Sequence, residues 1–315
     1  VESDASDIDR WVRGEWTSDS VPTYSAADFA RVADTLKREG ERWFLAGPPE
    51  TETLRRQQVA TFVLEVVLTQ GNAAPAGYGS AVTGLLSWAR DVISAGAPTD
   101  AERLWTLAAT AWLQRRGASF VVAPDRLRAR FPDEPRFALF VALSLEQAHW
   151  PHARDVATWQ PDPREWVRMS DAYAAAMAHP AVASEARVRL AYLELRRGRL
   201  EQARVLLDEA AVPADPFVRY LKYLFTGRVL EQQGNLSAAE VAYGEAGAAI
   251  PIAQSATIAW ASALSRTGKA DAASALTTRM LLVNPRVVDP WQEYLRSEWR
   301  HLDGWMRQLR GLVRP

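Results

Sequence analysis

Three glycines, Gly198, Gly234 and Gly268, stand 36 and 34 residues apart, and each is followed five positions later by an alanine, Ala203, Ala239 or Ala273. A period of this size constrains a chain to a stack of like units, because each unit can bury its apolar face only against its neighbour. The runs on either side of the first glycine, ARVRLAYLELRR and LEQARVLLDEAA, carry apolar residues at helical spacing, and no Val/Ile/Thr run alternates long enough for a strand. Each unit therefore reads as helix, glycine turn, helix. The glycine gives the first helix an unhindered or left-handed end. The alanine sits where the two helices cross most closely, and Pro251 and Pro285, 34 apart, stop the second helix.

Composition agrees with close helix packing. Alanine accounts for 54 of the 315 residues, and 13 tryptophans supply large wedges among those small side chains. The balance of 37 basic and 38 acidic residues speaks against a nucleic-acid binder driven by bulk charge. Zero cysteines exclude disulfides, thiolate metal sites and cysteine nucleophiles. The longest charge-free stretch, between Glu65 and Arg90, contains TQGNAAPAGYG and so predicts no transmembrane span.

The second unit places Gly227, Gly234, Ala239, Tyr243, Ala246 and Pro251 in one pattern. The third repeats it as Ala261, Gly268, Ala273, Thr277, Met280 and Pro285, and the first as Ala191, Gly198, Ala203, Leu207 and Ala210, with Pro216 one position late. This resembles the tetratricopeptide repeat family over residues 182–285, although Thr277 and Met280 reverse the family's large-then-small order. The resemblance implies an all-α, right-handed superhelical solenoid of antiparallel helix hairpins whose first helices line a concave groove. Carried onto the matching positions, it marks Glu185, Tyr192 and Arg196 in the first unit as groove residues. Leu221, Leu224, Arg228, Glu231 and Gln232 take that role in the second, and Ser255, Ser262 and Arg266 in the third. The row Arg196, Arg228 and Arg266 suits carboxylates of a peptide partner, or pairing with Glu185 and Glu231. The basic clamp by which some family members hold a chaperone tail is not reproduced here.

Upstream, residues 53–70 and 80–95 read as a helix pair, a helix ends near Gly117, an irregular link spans 118–132, and further helices occupy about 133–150 and 163–178. The reading divides the chain into an N-terminal extension at 1–24, a divergent helical-repeat region at 25–160, the repeats at 161–285 and an aromatic end at 286–315, and it favours one continuous array over two domains. At that end Trp291, Trp299 and Trp305 fall near helical spacing with neighbouring leucines, which predicts a C-terminal helix covering the last repeat as a cap.

No catalytic, cofactor-binding or metal-ligating set emerges. Four histidines and no cysteine offer little for a metal, and Pro151 separates His149 from His152. Acidic pairs such as Asp208 and Glu209 have no distinguishing apolar surroundings, and nucleotide, hydrolase and metalloprotease motifs are missing. The sequence thus predicts a noncatalytic scaffold or assembly subunit that binds a protein or peptide partner and no nucleic acid, itself not transmembrane but suited to a peripheral place in a larger complex. The alternatives are a helical carbohydrate-active enzyme with an acidic pocket, kept open by tryptophan platforms, and a purely structural accessory subunit. The missing initiator Met and absent Cys lean the expectation toward an exported, periplasmic setting.

Overall fold

The computed structural model describes residues 3–15, 25–71, 79–116, 123–149, 162–251, 253–282 and 288–314. Among them every regular element is helical. The chain divides into two compact units, where the sequence favoured one continuous array. The first comprises residues 1–131 and 296–315, and the second residues 132–295. Gly117, Pro151, His152 and Pro285 lie outside the described residues.

The first unit contains α1 (Ser3–Val12), α2 (Ala26–Leu45), α3 (Glu52–Gly71), α4 (Gly79–Ile93), α5 (Asp100–Arg115), α6 (Pro124–Arg130) and, from the far end of the sequence, α15 (Leu302–Val313). Helix α3 is central and packs against α2, α4, α5 and α15. Its Val59, Val63 and Val67 meet a core that includes Leu85, Leu86, Trp105 and Ala108. Trp105 reaches its own partner there, donating from Nε1 to the Ala60 carbonyl at 2.8 Å. Helix α6 occupies much of the stretch expected to be an irregular link. Pro124 fixes its first turn, and acidic Asp125 near the start with basic Arg128 and Arg130 near the end complement its dipole.

The expected C-terminal cap divides between the units. Its first part belongs to the second unit, whereas α15 packs on α5 and α3. Leu302, Met306, Leu309 and Val313 form one apolar stripe along α15, and that stripe enters the core of the first unit. Two polar contacts fix it there: Gln58 donates to the Val313 carbonyl at 2.8 Å, and Arg310 pairs with Glu65. Trp299 and Trp305 pack against the same core, with the Arg115 guanidinium 3.9 Å from the centre of the Trp299 ring.

The second unit runs through α7 (Pro135–His149), α8 (Pro163–Met177), α9 (Pro180–Arg196), α10 (Leu200–Glu209), α11 (Pro216–Gln232), α12 (Leu236–Ala249), α13 (Gln254–Arg266) and α14 (Ala270–Leu281). From α7 to α14 each helix packs on the next, and α9 also touches α7 and α11. The three turn glycines adopt φ of +72°, +80° and +81°. Each is closed in the same way: the residue after the glycine donates five positions back, Arg199 to Glu194, Asn235 to Leu230 and Lys269 to Leu264, all at 2.9 Å. This αL closure satisfies the last carbonyls of the first helix. The second helix then restarts alike in each, with Ala203, Ala239 and Ala273 donating to Arg199, Asn235 and Lys269. Pro216 opens α11 behind an Asp215 cap rather than closing the preceding helix.

Gly227 serves a different purpose from the turn glycines. A Cβ at this position would enter the Tyr243 ring, so its missing side chain sets the closeness of α11 and α12. Tyr243 is fully buried, as are Ala203, Ala239 and Ala246.

Candidate partner-binding face

Helices α7, α9, α11 and α13 present residues to one stretch of chain, Asp289–Leu295, the start of a 3-10 segment spanning Pro290–His301. Asp289 accepts from the Ser255 backbone N–H at 2.6 Å with one oxygen and from the Trp291 N–H at 2.8 Å with the other. The residue before helix α13, Ala253, offers no side-chain cap, so Asp289 supplies the missing acceptor from elsewhere in the sequence. The Arg228 guanidinium lies 4.8 Å from the centre of the Trp291 ring. Tyr192 stacks on Phe225 at 4.6 Å, and the edges of this pair receive Trp291 at 5.1 and 5.7 Å and Tyr294 at 5.4 and 6.1 Å.

Beneath Tyr294 lies a buried polar cluster. Its hydroxyl donates to Glu146 Oε2 at 3.2 Å, and Tyr173 donates to the same oxygen. Its carbonyl accepts from Arg189 Nη1 at 2.9 Å. Arg189 in turn holds Glu185 one helical turn away at 2.8 Å, and Arg136 reaches Glu185 from α7 at 3.0 Å. Glu146, Arg189 and Tyr173 have no solvent exposure, and Tyr294 has 2%.

Burial pushes the Glu146 carboxyl up to about 7, against the opposing pull of the Tyr173 hydrogen bond, Arg189, Tyr294 and Arg196. Its second oxygen, Oε1, finds no hydrogen-bond partner among the described residues. Burial likewise drives the Tyr173 and Tyr294 hydroxyls well above the ordinary phenol range, with the Glu146 carboxylate adding to the effect. For Arg189 burial acts against the charge, but Glu185, Tyr294, Tyr173 and Glu146 together outweigh it and hold the guanidinium protonated.

The residues marked in the sequence thus fall into two sets. Glu185, Tyr192, Leu221 and Leu224 are buried, with Glu185 and Tyr192 engaged by the cluster and the aromatic stack. Arg196 and Arg228 are half-buried, and Arg196 donates to the Tyr192 hydroxyl at 3.5 Å. Gln232, Ser262 and Arg266 are exposed, and Ser255 is half-buried with its N–H given to Asp289. Arg266 pairs with Glu231, whose other oxygen accepts from the Tyr243 hydroxyl at 2.6 Å. Trp291 lies in this face, apart from Trp299 and Trp305.

Sequence reasoning passed over Glu146, Tyr173, Arg189 and Asp289. One signal was present: Glu185 and Arg189 are four apart on a helix whose other residues are largely apolar. Among the described residues no group of His, Asp or Glu could hold a metal ion, and no helix is long and apolar enough to cross a membrane. Glu146 has the shifted titration expected of a catalytic acid, and its side chain is fully buried among the described residues. No protein-family model matches the chain, and no curated protein matches its sequence.

Proposed function

We propose that the second unit is a tetratricopeptide-type array, wound right-handedly, that serves as a noncatalytic scaffold for a protein or peptide partner. The observation that carries this reading is the strip formed by Gln232, Ser262 and Arg266, exposed along the first helices of successive hairpins and continuous with half-buried Arg228. Repeating hairpins supply such a strip without any special loop, because equivalent positions recur one unit apart. A photo-crosslinking residue placed at Gln232 or Ser262 should capture a discrete partner in the native source, while the same residue at exposed Leu54 on α3 should not. Equal capture at all three positions would remove the basis for the proposal.

A second reading, that of an assembly subunit using the opposite side of the hairpins, draws on Val205 and Val241. They stand 36 residues apart at matching positions of α10 and α12 and are 53% and 66% exposed. Apolar side chains repeated at one outward position suit a packing surface. Loss of complex size with Val205→Asp and Val241→Asp, while the Ser262 crosslink persists, would favour this reading.

A further inference from the structure

We propose that Asp289–Leu295 is a built-in occupant of the partner face, so that the face accepts a peptide carrying an acidic residue followed by aromatic residues two and five positions later. The inference rests on the scaffold reading above and specifies the chemistry of the partner.

The segment runs across the helices, and its two rings are both shared between α9 and α11. Asp289 meets the start of α13, Trp291 meets Arg228 and Phe225 on α11, and Tyr294 meets Tyr192 and Arg189 on α9, then Glu146 on α7. Each contact selects a chemistry. The start of α13, where Ala253 offers no side-chain cap and the Ser255 N–H is given to Asp289, favours a carboxylate. Arg228 over one ring and the Tyr192–Phe225 stack beside it favour flat aromatic residues. Arg189 reads both the main-chain carbonyl of Tyr294, at 2.9 Å, and its ring, with the guanidinium 4.7 Å from the ring centre. Gln292, between the two anchors, is exposed.

Ala203, Leu207, Ala239, Tyr243 and Ala246 are buried in the core that Tyr294 completes and against which Trp291 and Leu295 pack. Withdrawal of the segment would leave Tyr192 and Phe225 facing water with Arg228 beside them, an apolar slot with a basic rim that the same peptide chemistry would refill. The tethered segment competes with any external peptide at a high effective concentration, so an external partner must match it closely or act when it opens.

The test uses the full chain and a labelled peptide corresponding to residues 288–296. Fluorescence anisotropy should show at least tenfold tighter binding to the Trp291→Ala/Tyr294→Ala chain than to the wild type. Adding Arg228→Glu to that variant should abolish the binding. Equal affinity for the two chains, or none for a variant with unchanged circular dichroism, overturns the proposal. Native-state hydrogen exchange of the wild type covers the case in which the double variant does not fold. Amides of 291–295 should exchange at least tenfold faster than core amides of α9 and α11, and exchange at a common rate overturns the proposal. Crosslinks at Ser262 without peptide binding would retain the scaffold and discard the built-in occupant, whereas peptide binding without those crosslinks would retain the inner face and discard the outer strip.

Discussion

Replacing Glu146 by Gln should remove a loss of stability with rising pH from the second unit. Its carboxyl titrates at about 7 when folded against 4.5 in an unperturbed chain. Between those values the folded protein holds a proton that the unfolded chain has released, so folding stability falls as pH rises through that window and levels off above it. The difference corresponds to about 3 kcal/mol. The physical cause is visible in the structure: a fully buried carboxylate with Oε2 shared by two tyrosine hydroxyls and Oε1 without a partner among the described residues. Glutamine keeps an acceptor for those hydroxyls and never ionises. Urea unfolding from pH 4 to pH 8, monitored by near-ultraviolet circular dichroism, should show the wild type losing about 3 kcal/mol relative to Glu146→Gln. In thermal melts this is a relative shift of about 6–12 °C. Parallel stability curves, differing by a constant across the range, would refute the assignment of a buried, destabilised carboxylate.

Three other substitutions probe the packing. Gly227→Ala should destabilise by about 1–3 kcal/mol, because the added methyl enters the Tyr243 ring between α11 and α12; an unchanged urea midpoint would show that this helix pair can spread freely. Gly234→Ala should cost about 1–2 kcal/mol through its φ of +80° alone, with open space around the new Cβ, and the loss should appear in unfolding rather than as aggregation. Arg189→Met should cost about 1–3 kcal/mol, since it removes the donor to the Tyr294 carbonyl and one of the two arginines that hold Glu185, with Arg136 remaining; adding Glu185→Gln should recover part of that loss in a double-mutant cycle, and strict additivity would argue against the coupling.

The hairpins of the second unit were legible because their signals are local. A glycine is needed wherever a helix must end in αL, and Gly198, Gly234 and Gly268 do so with the same closure at the spacing read from the sequence. Alanine at the crossing and proline at a first turn act within a few residues in the same way. Other features depend on partners that no periodic pattern identifies. Tyr294 meets Arg189 from 105 positions away and Glu146 from 148, and Gln58 meets Val313 from 255.

The C-terminal stretch illustrates the limit. Its amphipathic spacing announced a segment with an apolar side to bury, but the stripe of Leu302, Met306, Leu309 and Val313 is complementary to several helices in composition. In the fold the stripe enters the core beside α3 and α5, where Gln58 and Glu65 of α3 add polar contacts to it. Likewise only the fold brought Asp289–Leu295 against Tyr192 and Arg228 and buried Glu146 beneath it. Backbone geometry and periodicity are properties of neighbouring residues, so the sequence determined the repeating hairpins. Burial and charge environment are properties of what the chain brings together in space, so the tertiary structure decided the state of the site.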